Sequence, residues 1–541
     1  MNGNITGISG PTVSVALKGL RLFERVYVGN AMLTGEVVKL EKERAVVQVY
    51  EDTHGLAPDE PVLATGTPLA VSLGPGLLSG IFDGLQRPLE RLRQDAGPFI
   101  ISAKEVYALD RSRQWRFHPL KNKGDALSPG EIIGHVSEGR FSHFITCGSD
   151  INGKLSWVAD GEINTESPVG ILSDGKEISL CQEWPVRVPR PYLRKIAPGQ
   201  PLVTGQRAID FLFPFSKGGT AILPGGFGTG KTILEQSVAK FADVDIVVYV
   251  GCGERGNEMA EMIEEFKTLK DPWTGSSLME RTVLVINTSN MPVAAREASI
   301  YTAVTIAEYY RDMGYHVLLL ADSISRWAEA LREISSSLEE MPGEEGYPTY
   351  LASRISGFIE RAGVVETLSG KTGSLSMVLS VSPPGGDFTE PVTQSCLRNT
   401  GTFLMLDTSL AHRRHYPAIN WFQSYSLYAG ELLTYYKDKV SPEWEDVQKG
   451  CRDMLQKEEA LREVVEIIGI EGIQDQDRLL LHAAEMIRST FLCQNAYTDD
   501  AFSPLEKTLS AVKKILDFYK SAEERLKQGA VLSEILTNTK A

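Results

Sequence analysis

Between about residues 200 and 435, short apolar runs alternate along the chain with longer segments of helical periodicity. The runs are rich in β-branched residues, which is typical of strands covered on both faces. Strands joined through helices build a mostly parallel α/β sheet. The pattern therefore predicts such a sheet, with strands at 221–223, Asp245–Val250, Thr282–Asn287, His316–Ala321, Ser374–Val381 and Thr402–Leu406.

The flanking parts of the chain have other patterns, and 541 residues are too many for one core. Short alternating stretches at the N-terminus predict a small antiparallel barrel or sandwich. Helical periodicity dominates the C-terminal part, as over Trp444–Ile468 and Leu505–Leu536. The predicted organisation is an N-terminal β-barrel at 1–70, a linker with a short helix at 71–109, a β-rich insert at 110–190, an α/β domain at 191–435 and a helical C-terminal domain at 436–541.

The clearest chemical signal follows the first predicted strand of the α/β domain. Residues 225–232 match the phosphate-binding pattern G-x-x-x-x-G-K-[ST] between a strand and a helix, which is the context that this motif requires. Its glycines let backbone N–H groups turn toward phosphate oxygens, and the helix N-terminus adds its dipole. A purely structural glycine turn is the alternative. The expected nucleotide-binding positions are Gly225, Gly226, Phe227, Gly228, Thr229, Gly230, Lys231, which would reach the β- and γ-phosphates, and Thr232, whose hydroxyl would hold Mg²⁺.

Hydrolysis of ATP also needs a carboxylate near Mg²⁺, a group that aligns the attacking water, and positive charge on the phosphoryl group. Asp322 ends an apolar strand and is expected on the Mg²⁺ side, through water, although it could instead cap the next helix. Glu254 lies between glycines in the segment that follows another predicted strand and is the expected base, with Arg255 as a phosphate contact or a tether on that glutamate. A surface ion pair is the alternative for Glu254 and Arg255. Arg326 could also point at phosphate, or lie on a solvated helix face.

Composition narrows the function classes. With 42% hydrophobic and 23% charged residues, the chain is ordinary for a globular protein, and its net charge of −15 argues against a broad nucleic-acid surface. No apolar run approaches the length of a bilayer span, and the N-terminus does not resemble a secretory signal. The six cysteines form no C-x-x-C pair, which fits a reducing cytoplasm.

An ordered series of motifs resembles the catalytic A subunit of V-type and archaeal or bacterial A-type rotary ATPases. Beyond the phosphate loop, the matching segments are Gly-Glu-Arg-Gly-Asn-Glu at 253–258, Ser-Asn-Met-Pro-Val-Ala-Ala-Arg-Glu at 289–297, Leu-Ala-Asp-Ser at 320–323, Met-Pro-Gly-Glu-Glu-Gly-Tyr-Pro at 341–348, Pro-Pro-Gly-Gly-Asp-Phe-Thr-Glu-Pro-Val-Thr at 383–393 and Tyr-Pro-Ala-Ile-Asn-Trp at 416–421. The resemblance implies a multidomain fold: an N-terminal β-barrel, a β-rich bulge insert, a RecA-like phosphate-loop domain and a helical C-terminal domain. The bulge, absent from the related F-type β subunit, corresponds to 110–190.

The resemblance also implies the site. Lys231, Glu254, Arg255 and Arg326 are the expected catalytic set, with ATP or ADP and Mg²⁺ as cofactors. Further nucleotide-binding positions are Tyr416 and Pro417, which match the place where the F-type β subunit packs adenine, and Phe491 and Tyr497, which loosely match the other aromatic wall. Core positions are the alternative for these aromatic residues. Thr229 stands where eukaryotic V-type chains usually have a cysteine, which favours a bacterial or archaeal origin.

The implied partners are a non-catalytic B subunit, which alternates with the catalytic one in a ring of three each and supplies an arginine finger in trans, the central shaft, a peripheral stalk and, indirectly, a membrane sector that moves H⁺ or Na⁺. The expected location is the cytoplasmic face of a membrane. No nucleic-acid partner is expected. The alternatives are a homohexameric RecA-like ATPase, of secretion type or Rho-like, and a non-hydrolysing subunit; the second would lack Lys231 or Glu254, and both are present.

Overall fold

The computed structural model describes residues 2–42, 44–97 and 106–537. The positions of the predicted barrel, linker and helical domain that fall on residues 1, 43, 98–105 and 538–541 lie outside the described residues. The chain divides into two compact units. The first comprises Met1–Ala197, Val244–Pro383 and Asp387–Asn399, and the second comprises Pro198–Asp243, Pro384–Gly386 and Thr400–Ala541.

The N-terminal strands form a closed antiparallel barrel in the order β1-β2-β5-β4-β3-β6. Inward positions alternate with outward ones, so that Val13 and Val15, for example, lie in a fully buried core. This confirms the predicted N-terminal β-barrel. Its strands are Asn2–Ser9 (β1), Thr12–Ala16 (β2), Glu24–Val28 (β3), Leu33–Leu40 (β4), Ala45–Val49 (β5) and Pro61–Pro68 (β6).

A β-rich insert follows a short connecting region, as the sequence pattern predicted. It has two four-stranded sheets, in the orders β10-β13-β15-β16 and β12-β11-β9-β14, around a shared apolar core that includes Trp115 and Phe117. The last strand, β17, returns to pair with β7. The elements are Ala70–Leu73 (β7), Ile81–Phe82 (β8), Leu89–Ala96 (α1), Trp115–Pro119 (β9), Ala126–Leu127 (β10), Ile132–Glu138 (β11), Phe141–Thr146 (β12), Gly153–Val158 (β13), Gly161–Ile163 (β14), Pro168–Leu172 (β15), Glu177–Ser179 (β16) and Gln182–Pro185 (β17).

Strands and helices then alternate through the α/β region. Its elements are Arg194–Ile196 (β18), Thr220–Pro224 (β19), Lys231–Phe241 (α2), Ile246–Glu254 (β20), Gly256–Thr268 (α3), Thr282–Thr288 (β21), Val293–Asp312 (α4), His316–Asp322 (β22), Ile324–Ser337 (α5), Leu351–Ile359 (α6), Gly363–Glu366 (β23), Thr372–Val381 (β24), Pro391–Leu397 (α7), Thr402–Phe403 (β25), Thr408–His412 (α8) and Tyr425–Ser426 (β26). Single turns of 3-10 or π helix occur at Ala208–Leu212, Leu278–Arg281, Glu344–Gly346 and Pro384–Gly386.

Within the first unit, parallel strands run in the order β24-β22-β20-β21-β8, and β23 adds antiparallel to β24. Every residue of β20 except the last is buried, as expected for a strand covered on both faces. Helix α4 packs on β20, β21 and β22, and nearly all of its residues are buried. The carboxyl ends of these strands therefore meet along one edge, where ligands bind in open α/β sheets.

Within the second unit, β19 pairs in parallel with β25, which pairs antiparallel with β26. The C-terminal part is helical, as predicted, and Trp444 at the start of α10 stacks on Tyr436 with ring centroids 4.3 Å apart. Its elements are Ala429–Lys439 (α9), Trp444–Ile468 (α10), Asp475–Met486 (α11), Leu505–Lys527 (α12) and Leu532–Thr537 (α13), with 3-10 or π turns at Ile470–Gly472, Ile487–Leu492 and Asp499–Ala501.

The helical segment predicted over Leu505–Leu536 is interrupted. Gly529 adopts φ +94°, a left-handed conformation that a glycine tolerates and that ends α12 before α13 begins. No helix in the described ranges is both long and apolar enough to cross a membrane.

Candidate active site

The phosphate loop lies in the second unit between β19 and α2, as the motif predicted. Gly228 and Gly230 have φ +77° and +83°, which residues with a Cβ rarely adopt, so the loop needs glycine there. Lys231 opens α2 and its ammonium donates to the carbonyls of Gly225 at 2.5 Å and Gly226 at 3.1 Å. The loop thus places a cation and a helix N-terminus at one point, as phosphate binding requires.

Other loop residues keep this geometry. The Thr229 hydroxyl donates to the Gly226 carbonyl at 2.8 Å. A Cβ at Gly225 would lie 2.7 Å from the Leu406 Cβ, closer than real Cβ contacts, so this glycine is required by packing. Thr232 is the second residue of α2, and Phe227 is 87% exposed.

A cavity of about 570 Å³ opens beside the loop within the second unit. Its lining includes Gly228, Thr229 and Gly230 together with Tyr416, Pro417 and Tyr497. The Tyr416 ring lies 3.5 Å from the position that a Cβ of Gly230 would occupy. Aromatic and apolar walls of this kind with a few polar groups suit a planar ligand.

Phe491 does not line this cavity. It is fully buried and packs edge-on against Phe211, with centroids 5.4 Å apart. Phe491, which lies in the π turn Ile487–Leu492, therefore occupies a core position, the alternative given for it above.

The polar residues that line the cavity were not predicted from the sequence. Arg414, Gln494 and Asn495 lie close in sequence to Tyr416 or Tyr497, so neighbourhood alone was an available signal. Gln206 also lines the cavity, and no local pattern connects it with those residues.

The two expected carboxylates lie together in the first unit, at the carboxyl ends of neighbouring strands. Asp322 ends β22 beside Gly251 of β20, and it accepts a hydrogen bond from the Tyr249 hydroxyl at 3.2 Å. Ser323, not Asp322, occupies the N-cap position of α5. Burial, together with the negative charge of Asp322, raises the pKa of Glu254 to about 7.

A β-bulge sets the direction of Glu254. The register of β20 against β21 shifts between Cys252 and Glu254, and Gly253 has φ +76°. A Cβ on Gly253 would lie 2.8 Å from the Arg326 Cβ and 3.0 Å from the Arg296 Cδ, so the bulge also needs a glycine for space. Bulges of this type re-aim a side chain next to active sites.

The expected arginines differ in their surroundings. Arg255 is 63% exposed at its side chain and lies 3.5 Å from the Glu258 carboxylate, one turn along α3. Arg326 is half exposed and pairs with Glu329 at 2.9 Å. Its positive charge partly opposes the rise in the pKa of Glu254. Arg296, which was not predicted as a site residue from the sequence, is buried and contacts the bulge.

Hard oxygen donors, the ligand type that Mg²⁺ prefers, occur among the expected site residues of each unit. In the ranges that the structure describes, no three histidine, cysteine, aspartate or glutamate side chains form a group able to hold a metal ion. Mg²⁺ keeps several waters and binds through one or two protein oxygens plus substrate phosphates. The hydroxyl of Thr232 and the carboxylate of Asp322 are hard oxygen donors of this type.

Four family models match consecutive parts of the chain. They are the ATP synthase alpha/beta family beta-barrel domain at 5–66, the ATP synthase alpha/beta subunit barrel-sandwich domain at 106–187, the ATP synthase alpha/beta family nucleotide-binding domain at 205–426 and the C-terminal domain of V and A type ATP synthase at 433–536.

Relatives match over nearly the whole length. The A subunit of the A-type ATP synthase of Methanopyrus kandleri is 51% identical over 99% of this chain and 92% of its own. The corresponding protein of Methanosarcina mazei is 50% identical over 99% and 93%. The chain belongs to the family of A-type ATP synthase A subunits. This confirms the expected class, a nucleotide-binding enzyme of the ATPase and ATP synthase type.

A solved structure shows the same fold at greater distance. The assembled ATPase EscN of the enteropathogenic E. coli type III secretion system aligns with a TM-score of 0.68 and 21% identity, covering 95% of this chain and all of that one. At this identity the likeness concerns the fold alone.

Proposed function

We propose that this chain is the catalytic subunit of a rotary A/V-type ATPase, and that Glu254 is the general base of its hydrolytic reaction. The observation that supports the proposal best is the Glu254 carboxyl itself, which ends a buried strand and has its pKa raised to about 7 by burial and the charge of Asp322. A base is most effective when its pKa lies near the working pH.

The proposed chemistry is a transfer of the γ-phosphoryl group of ATP to water. The loop N–H groups and Lys231 hold the phosphates. Glu254 accepts a proton from the attacking water while the water oxygen bonds to the γ-phosphorus. The bond between the γ-phosphorus and the β,γ-bridging oxygen breaks, which gives ADP and phosphate. Arg255 and Arg326 stabilise the negative charge on the phosphoryl oxygens. Synthesis reverses these steps.

Thr232 and Asp322 would hold Mg²⁺, which supplies charge neutralisation on the phosphates when bound. The cavity beside the loop would take the base, with Tyr416, Pro417 and Tyr497 as its walls. Its enclosure by aromatic and aliphatic groups supports stacking of adenine.

The proposal includes the rest of the complex. Three copies alternate with three copies of a non-catalytic B-type subunit, which supplies an arginine in trans. A central shaft and a peripheral stalk connect the ring to a membrane sector that moves H⁺ or Na⁺, and the ring lies on the cytoplasmic face of that membrane.

The test is Mg²⁺-dependent ATP hydrolysis by the chain alone and after assembly with its B-type partner. We expect little activity alone and a large increase with the partner. Glu254→Gln should lower kcat of the complex by about 10²–10⁴-fold, since an amide cannot accept the proton, while nucleotide binding stays intact. Glu261→Gln, an exposed glutamate on α3, is the matched control.

Each contrary result is informative. Near-normal turnover of the Glu254→Gln complex would remove Glu254 from the mechanism. Strong activity of the chain alone would favour a self-sufficient homohexamer instead.

A further inference from the structure

Arg296 lies in the first turn of α4 and contacts the loop that follows β21. The residue is only 8% exposed, and its Nη2 donates to the Ser289 carbonyl at 2.9 Å. The Ser289 N–H in turn donates to the carbonyl of Glu254 at 2.9 Å. One residue thus connects Arg296 to the backbone of the proposed base.

Arg296 also contacts the bulge directly. Its Cδ and Nε lie 3.0 and 3.1 Å from the position that a Cβ of Gly253 would occupy. Among the described residues, this buried Nε has no hydrogen-bond partner. A buried donor without a partner loses its hydration without compensation, so this Nε does not stabilise the fold.

The next residue, Glu297, anchors the same part of α4 through a buried ion cluster. The Glu297 carboxylate accepts two hydrogen bonds from Arg187, at 2.9 and 2.8 Å. Arg187 also binds Glu36 of the barrel at 2.8 Å, and both carboxylates are buried. This buried ion cluster holds the first turn of α4 in one place, so Arg296 is presented to the bulge from a rigid support.

We propose that Arg296 is a positioning residue that sets the backbone of the Gly253–Glu254 bulge and thereby the direction of the Glu254 carboxylate. The proposal rests on the proposed role of Glu254 as the base. It assigns Arg296 an effect on the rate of the chemical step and none on nucleotide affinity. A merely structural role would instead lower stability without separating kcat from KM.

The experiment uses the assembled complex and the variants Arg296→Met and Arg296→Lys. For each we would measure kcat and KM for Mg-ATP, the affinity for ADP, and the melting temperature. Arg296→Met should lower kcat by about 100-fold, the loss typical of a displaced catalytic group, with KM and ADP affinity within about two-fold. Arg296→Lys should regain part of kcat, since an ammonium can still donate to the Ser289 carbonyl.

Arg311→Met is the matched control. Arg311 lies on the same helix, is fully buried and binds Asp312 at 2.7 Å. Its loss should lower the melting temperature and leave kcat of the folded complex nearly unchanged.

Three results would overturn the proposal. The first is an unchanged kcat in Arg296→Met. The second is a loss of kcat in both Arg296→Met and Arg311→Met that follows their loss of stability. The third is a raised KM with a normal kcat in Arg296→Met, which would indicate a substrate contact. If Arg296→Met does not fold, the lysine variant decides on the same measurements. If the Glu254→Gln complex is inactive and the Arg296→Met complex has a normal kcat, only the positioning role of Arg296 is wrong. If the Glu254→Gln complex is active, the proposed role of Glu254 as the base is wrong as well.

Discussion

At the scale of single residues, the site separates two carboxylates by environment. Asp322 is almost fully buried but accepts a hydrogen bond from Tyr249, whereas Glu254 is less buried and has its pKa raised to about 7 by burial first and by the Asp322 charge second. The protonation state of Glu254 should therefore control activity near neutral pH.

The first prediction concerns the pH dependence of the rate. The base acts as the carboxylate, so kcat/KM of the complex should fall as pH decreases through about 7, where Glu254 takes up its proton. The measurement is a pH profile of Mg-ATP hydrolysis between about pH 5.5 and 9. The control Glu261→Gln should show the same fall in kcat/KM at low pH. A wild-type profile that stays flat down to pH 5.5 would contradict the role of Glu254 as the base.

The second prediction concerns stability. The pKa of Glu254 in the folded chain lies above its ordinary value of 4.5, so folding favours the protonated form. Its favourable contribution is complete below pH 4.5 and disappears as pH rises through about 7. Glu254→Gln cannot ionise, and we expect its melting temperature to exceed the wild-type value at pH 8, with a smaller difference at pH 5.5. An equal difference at both pH values would exclude the raised pKa.

The third prediction concerns Gly253. Gly253→Ala should abolish turnover, because the left-handed backbone and the 2.8 Å approach to the Arg326 Cβ leave no room for a methyl group. Nucleotide affinity should persist, since the phosphate loop is not altered. Gly256→Ala, where a Cβ would meet only the Thr288 side chain at 4.0 Å, is the control for hydrolysis and ADP binding. Normal hydrolysis by Gly253→Ala would show that the bulge is dispensable.

At the scale of elements, the periodicity of the sequence predicted which strands exist better than it predicted where they end. The apolar run of β20 predicted a strand to Val250, but the strand continues to Glu254, because Gly-Cys-Gly resembles a loop in sequence and is a bulged strand end in three dimensions. The run at 402–406 predicted a longer strand than Thr402–Phe403, although Leu404 still donates to the Ile222 carbonyl alongside β19. Local patterns could not give these pairings.

In the candidate site, too, features set by local sequence were predicted and features set by distant contacts were not. The spacing of the phosphate loop predicted its strand, turn and helix because that motif is local. Arg296 and Phe491 could not be placed, because their roles depend on contacts with Gly253 and Phe211, which are distant in sequence.

The fourth prediction concerns the start of α10. Trp444 is fully buried, stacks on Tyr436 and meets Phe211 edge-on at 5.2 Å. Trp444→Ala should therefore destabilise the second unit by about 3–5 kcal/mol, the cost of a large cavity. Chemical denaturation followed by circular dichroism measures this loss. Trp157→Ala, at a ring 45% exposed on β13, should cost less than about 1 kcal/mol, and similar losses in both variants would contradict the packing argument.

At the scale of the whole molecule, the proposed groups are distributed over two compact units. The first contains Glu254, Asp322 and Arg296, and the second contains the phosphate loop and the cavity beside it. The excess of acidic over basic side chains, with a net charge of −15, fits phosphate recognition by loop amides and a few selected cations rather than by a broad basic surface.

The fifth prediction follows from this distribution. ADP without Mg²⁺ should stabilise mainly the unit that holds the loop, because a ligand stabilises only the part that must be folded to bind it. At a concentration 100 times its Kd, the expected gain is about 2.7 kcal/mol against opening of that unit. Hydrogen exchange should slow in peptides from 221–240 and 400–420, and it should change little in the insert at 110–190. Lys231→Ala should lose the effect, because the ammonium at the start of α2 would no longer hold the phosphates. Equal protection of the insert would mean that the two units open together, and protection that survives in Lys231→Ala would place the nucleotide elsewhere.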